Sequence, residues 1–150
     1  MKLHFLNRTF LSFTVLFAFV SLNPLFSQNR KDVREILTSK TWYWYDEKYE
    51  LEEILMQMRY DFSQDSVKSY VVGNKAYENM GATIPYYLSD RKDEYFDDSK
   101  VGKAKDGKYL IQGFINAYAM EIISIDENEI KFKAPTIDQG DVIRIYKAVK

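Results

Sequence analysis

Apolar and polar positions alternate along most of this chain, and the alternation has the period of a β-strand. Thr41–Tyr45 places Trp42 and Trp44 on one face and Tyr43 and Tyr45 on the other. In Ile54–Phe62, the residues Ile54, Met56, Met58, Tyr60 and Phe62 share a face, opposite Gln57, Arg59 and Asp61. The start of that segment also reads at the helical period, through Leu51, Ile54, Leu55 and Met58, with Glu50, Glu52 and Glu53 placed in a first turn. Met58–Phe62 fits a strand better, so a strand from about Leu55 is favoured. A long helix over Tyr49–Met58 would predict an α+β fold instead. Further strands are read at Val67–Val72, at Thr83–Leu88 with Pro85 marking an edge or a bulge, and at Lys108–Ile111 after an Asp106–Gly107 turn. Ala119–Ile125 and Glu129–Lys133 make a hairpin around Asp126–Asn128, and Val142–Val149 follows the turn at Asp138–Gly140.

Two stretches break the alternation. In Lys31–Lys40, Val33, Ile36 and Leu37 fall on one helical face behind an Asp32 cap, which predicts a short helix. Ser89–Lys105 is polar and charged, with a small apolar patch at Tyr95–Phe96, and is expected to be a long surface loop. One short helix followed by about eight closely spaced strands predicts an all-β fold, a sandwich or a closed antiparallel barrel. Closure is favoured because it removes exposed strand edges.

The first residues are patterned differently. Lys2 and Arg8 precede an apolar run, Phe10–Val20, which is followed by Asn23–Pro24 and by Ser27. This is the layout of a secretory signal peptide, with cleavage expected between Ser27 and Gln28. The run is about half the ~20 residues a spanning helix needs, so no membrane span is expected in the mature chain. The predicted organisation is a leader over 1–27 and one domain over 28–150, exported to the periplasm or the extracellular space. An uncleaved anchor is the alternative.

Loss of Lys2 and Arg8 with the leader shifts the net charge from −1 to about −3, which offers no footprint for nucleic acid. The chain has no cysteine, and its one histidine, His4, lies in the leader. A mature domain without cysteine or histidine excludes Cys/His and Ser/His catalysis and the usual zinc and copper sites. It must also be held by its core without disulfides. Tyrosine is abundant, with 12 residues, all beyond the leader. Such a content suits sheet faces, as filled core or as the lining of a cavity.

Leu37–Trp42 (LTSKTW), Tyr60–Ser66 (YDFSQDS) and Val142–Tyr146 (VIRIY) occur in the order of three recurring segments. These are a Leu-x-Gly-x-Trp entry into the first strand, a Phe-x-x-Asp-Gly turn, and a last strand carrying a basic residue. In this arrangement the chain resembles the lipocalin-like (calycin-type) small secreted domains of Bacteroidetes-type bacteria. It departs from them where Ser39 and Lys40 occupy the region of the glycine, and where Asp65–Ser66 replaces Asp-Gly. The resemblance implies a barrel in which Trp42 and Arg144 pack together at a closed end, as a structural pair.

The leading candidate for a ligand site is the face of Met56, Met58 and Tyr60, joined from other strands by Tyr70, Tyr109, Tyr118, Met120 and Phe132. Methionine adapts to varied apolar shapes, and tyrosine adds an oriented hydrogen bond. The expected ligand is small and apolar or aromatic. The competing expectation is a filled barrel that serves as a structural or protein-interaction module, meeting an envelope or extracellular partner through exposed tyrosines and the Ser89–Lys105 loop. Asp90, Asp93, Glu94, Asp97 and Asp98 lack a calcium-loop spacing and read as a solvated acidic loop. The lysine-rich stretch Lys100–Lys108 reads as a solvated loop beside them. Glu121 stands in an apolar strand and would be one half of a carboxylate pair, but an outward, solvated position suits it better. No enzyme activity, metal or cofactor is expected.

Overall fold

A computed structural model of the protein describes residues 31–46, 57–73, 75, 77, 81–114 and 116–150. Helix α1 (Val33–Thr38) leads into eight strands: β1 (Thr41–Tyr45), β2 (Gln57–Phe62), β3 (Ser66–Val72), β4 (Gly81–Ser89), β5 (Tyr109–Gly113), β6 (Ala117–Ile125), β7 (Glu129–Thr136) and β8 (Gly140–Ala148). Each strand pairs antiparallel with the next, and β8 returns to pair with β1. The fold is a closed eight-stranded antiparallel barrel. The leader, its cleavage point and the helix-or-strand question over 49–56 lie outside the described residues.

Strand parity follows the sequence pattern. Trp42 stands opposite Tyr60 and Ala148, and Phe132 opposite Ile122 and Arg144, so these side chains share the inner face. Between Ile122 and Ser124 the register shifts by a bulge, which leaves Ile123 half exposed on the outside. Strands β5, β6 and β7 are longer than the alternation predicts, since β6 begins at Ala117 and β7 runs on to Thr136.

Pro85 marks neither a free edge nor a bulge. Strand β4 pairs with β3 up to Pro85 and with β5 from Tyr86 onward. The Tyr86 N–H reaches back to the Asp65 carbonyl at 2.9 Å, so the missing N–H of Pro85 falls on the side where no partner stands. The proline sits where the strand changes neighbours, and closure costs it no hydrogen bond.

Helix α1 stoppers one end. Asp32 caps it, accepting from the Glu35 N–H at 2.7 Å. Ile36 and Leu37 are buried against the barrel core, and the Leu37 carbonyl accepts the Trp42 indole N–H at 2.9 Å. Asp106 does not turn a hairpin with Gly107. Its Oδ1 accepts the Val33 N–H at 2.9 Å, which ties the end of the long β4–β5 connection to the helix. Gly107 passes so near the Ser89 backbone that an added Cβ would stand 2.6 Å from its nitrogen. At the same end, the β2–β3 turn closes without a glycine. The Ser63 N–H donates to the Ser66 carbonyl at 2.8 Å, the Ser66 N–H donates to the Ser63 hydroxyl at 3.0 Å, and Asp65 Oδ1 accepts from both serine hydroxyls.

The connection over 90–108 is not a free surface loop. It lies as a strap on the outer wall of β4, β5 and β6. There Phe96 and Val101 cover Tyr87, Ile111 and Ala119 in a second apolar cluster. Phe96 meets the Tyr87 ring at 5.2 Å, and Gly113 leaves room for it: an added Cβ would stand 2.8 Å from the Phe96 ring. Tyr95, the other half of the sequence patch, is 78% exposed.

Candidate functional site

The interior is filled at the helix end and hollow at the other. Trp42, Leu37, Leu88, Leu110, Ile130, Phe132 and Tyr86 pack the closed half. Above them a cavity of about 830 Å³ opens toward the tips of the β5–β6 and β7–β8 hairpins. Its volume is in the range of small-molecule sites. The floor holds Tyr60 and Tyr146, whose rings meet edge to face at 4.8 Å, with Phe132 packed 5.5 Å from Tyr146. The walls are Met58, Val67, Ile84, Tyr118 and Met120, and the rim is formed by Phe114 and by Pro135–Gln139. Among these, Phe114 is 56% exposed and Ile137 99% exposed, both apolar side chains at the mouth.

Of the residues expected at the site, Met58, Tyr60, Tyr118 and Met120 line the cavity together. Phe132 lies beneath it in the filled core, 1% exposed. Tyr70 and Tyr109 are on the outer wall. Tyr70 stands opposite the outward Arg59, and Tyr109 opposite Glu121. Glu121 itself pairs with the Lys108 ammonium at 3.1 Å. Met56 lies outside the described residues.

Arg144 is placed in the cavity, on the inner face two residues from Tyr146, with its guanidinium carbon 6.0 Å from the Tyr118 ring centre. The arginine at the stoppered end is Arg34. This side chain is 3% exposed, donates twice to the Ala104 carbonyl at 2.9 and 2.6 Å, and lies 5.4 Å from the Tyr86 ring centre. Helix α1, not β8, therefore supplies the cation beside Trp42's end of the barrel. The lipocalin resemblance implies that place for Arg144, whereas in this barrel Arg144 lines the open half.

Polar groups in the cavity are few. The Tyr118 hydroxyl donates to the Pro135 carbonyl at 3.1 Å, the Thr136 hydroxyl to the Gly140 carbonyl at 2.6 Å, and the Ser69 hydroxyl to the Ala82 carbonyl at 3.3 Å. Burial pushes the Tyr60 and Tyr146 hydroxyls above the ordinary tyrosine value, and the nearby Arg144 charge pulls both the other way. Both therefore stay protonated at neutral pH and are available as hydrogen-bonding groups. Gln112, which the sequence reading did not single out, is 9% exposed and also lines the cavity. Its signal in the sequence was weak: one amide in the short apolar run of β5.

In the acidic strap, Asp93 accepts from the Lys100 ammonium at 2.7 Å and from the Tyr87 hydroxyl at 2.9 Å. Asp97 accepts the Ser99 N–H at 3.0 Å. Asp93 holds the strap to the wall through Tyr87, and Asp97 orders the strap internally. No group of three or more metal-ligating side chains stands together among the described residues. No helix among them is long and apolar enough to cross a membrane.

The fold and the hollow define a closed antiparallel barrel with one stoppered end and one open end. In comparisons with known proteins, no family model, no curated protein and no solved structure matches the chain.

Proposed function

We propose that the protein is an exported, non-catalytic, lipocalin-like carrier that holds a small apolar or aromatic ligand in the open half of its barrel. The observation that carries this reading is the cavity of about 830 Å³ with Met58, Tyr60, Tyr118 and Met120 on its walls and floor. Adaptable methionine beside tyrosine suits ligands that are recognised by shape and by a small number of hydrogen bonds. The leader pattern, with its expected cut before Gln28, supports export to the periplasm or beyond. The resemblance carried by Leu37–Trp42 and Val142–Tyr146 supports the lipocalin-like assignment. The competing reading, an interaction module with a filled barrel, suits the closed half but leaves the hollow without a role.

Native mass spectrometry of protein purified from its source envelope tests the reading. A bound small molecule is expected, released on denaturation and displaced when Met58→Trp fills the hollow. A bare protein that also fails to take up apolar fluorescent probes would refute it. N-terminal sequencing of the same material is expected to begin at Gln28.

A further inference from the structure

The polar side chains on the cavity wall are engaged, with one exception among the described residues. The hydroxyls of Ser69, Tyr118 and Thr136 each donate to a backbone carbonyl. Tyr60 and Tyr146 share a hydrogen bond, and Arg144 is bonded to Tyr146 as well. Asp138 and Gln139 are exposed at the rim. Gln112 lines the same cavity, is nine-tenths buried, and forms no side-chain hydrogen bond among the described residues. The large majority of buried polar side chains are hydrogen-bonded, so an unpartnered amide facing a hollow marks a place that something else completes.

Register fixes where this amide stands. On the inner face, Gln112 is opposite Tyr86 of β4 and Tyr118 of β6. Tyr86 belongs to the filled core, so the amide lies where the packed half gives way to the cavity. The rings of Tyr60, Phe114, Tyr118 and Tyr146 line that cavity, and Phe114 meets Tyr118 edge to face at 6.3 Å. A wall of this kind suits a flat ring, which gains from offset or edge-to-face contact beyond the area it buries.

The chemistry of the amide narrows the ligand further. A carboxamide presents one acceptor oxygen and two N–H donors in one plane. An edge with a donor beside an acceptor meets it through two parallel bonds, as glutamine meets adenine. A carboxylate would set an oxygen against the Gln112 carbonyl, and an ammonium would set a cation against its NH2 group, so each satisfies half of the amide. A ligand with no polar edge would leave the amide desolvated and unpaired, which is how a buried polar group rejects an apolar analogue.

We infer that the cavity selects a neutral aromatic ligand with an amide-like edge, a lactam or a carboxamide, with that edge paired to Gln112 and its ring among the aromatic side chains of the wall. This deepens the carrier reading and rests on it.

Titration calorimetry of the purified protein with 2-quinolone and with N-methyl-2-quinolone tests the inference. The two share a ring and a carbonyl, and the methyl removes the N–H donor while adding apolar surface. 2-Quinolone is expected to bind about tenfold to a hundredfold more tightly, against the trend of hydrophobicity. Gln112→Leu is expected to abolish that preference and leave the binding of N-methyl-2-quinolone nearly unchanged. Its melting temperature without ligand is expected to equal or exceed that of the native protein, because no hydrogen bond of the barrel is lost. Equal binding of the two quinolones, a preference that survives Gln112→Leu, or a lowered melting temperature that reveals a structural partner for the amide each overturns the inference and leaves the carrier reading standing. Failure of both quinolones while an apolar fluorescent probe binds has the same meaning. Failure of all three overturns the carrier reading as well. Should Gln112→Leu not fold, the amide is structural and the inference falls.

Discussion

The two ends of the barrel are built from the same strands and have opposite characters. At the helix end, Leu37 and Trp42 are wholly buried, joined by an indole-to-carbonyl hydrogen bond, and surrounded by Leu110, Ile130 and Phe132. At the other end, Met58, Tyr118 and Arg144 face a hollow, and Phe114 and Ile137 stand in solvent. One end provides stability without disulfides, and the other gives up packing to keep space. Tight packing and an open site compete for the same interior, and this chain separates them by height along the barrel.

The largest test of that separation is a pair of truncations. Trp42→Ala removes a fully buried indole from a filled region and is expected to cost about 3–5 kcal/mol in urea unfolding. Met58→Ala, beside an existing void, is expected to cost about 1 kcal/mol. Similar losses at the two positions would mean that the ends are not energetically distinct.

Alkaline pH is expected to act on the closed half and its outer wall next. Burial pushes the hydroxyls of Tyr86 and Tyr87 up to about 12, and for Tyr87 the acceptor Asp93 adds to the shift. A tyrosine with a raised folded value contributes stability that is complete below its unfolded value near 10 and lost as pH rises through the folded one. Ultraviolet difference absorbance should show late-ionising tyrosines that titrate together with unfolding above about pH 10. Free ionisation of every tyrosine near pH 10, with the fold intact, would contradict the burial of these rings.

Gly113→Ala probes the strap on the outer wall. Its methyl would meet Phe96, so a loss of about 1–3 kcal/mol is expected, and much less in a Phe96→Ala background. Additive effects in the double variant would show that the two positions do not touch.

The smallest expected effect is at Asp93. Asp93→Asn should weaken the strap by about 1 kcal/mol, seen as faster local hydrogen exchange over 93–101 with the barrel unchanged. The Lys100 ammonium chiefly, and the Tyr87 hydroxyl after it, hold this carboxyl below the ordinary aspartate value against the opposing effect of burial. Its contribution is therefore complete above the unfolded value near 4 and lost as pH falls through the lower folded value. Strap exchange that does not change in acid would remove this role from Asp93.

Much of the barrel was legible because a strand has a strict period. The Trp42 face, the Met58–Tyr60–Phe62 face and the hairpin at Asp126 follow from alternation and turn chemistry alone. The helix was legible from Asp32 and the spacing of Val33, Ile36 and Leu37. Tyr70 and Tyr109 were misplaced because VKSYVV and KYLI do not alternate cleanly. In β3, Val67 and the polar Ser69 face inward, and Tyr70, more apolar than Ser69, faces out. The strap looked like solvent-exposed loop because its burial rests on few apolar side chains, Phe96 and Val101 among them, in a stretch rich in charge.

By itself the sequence determined most of the inward faces, Tyr70 and Tyr109 excepted, most of the turns, Asp106–Gly107 excepted, and that the strands are numerous and short enough to close. It also carried a leader-like N-terminal pattern, the absence of cysteine, and the absence of histidine beyond His4, which limit the side-chain chemistry of the barrel. Only the tertiary structure decided the levels. Strands in a closed barrel are tilted and staggered, so residues far apart in sequence come to one height through the register of every pairing between them. That register put Arg34 at the stopper, set Arg144 and Gln112 together in the hollow, and separated the filled half from the open one.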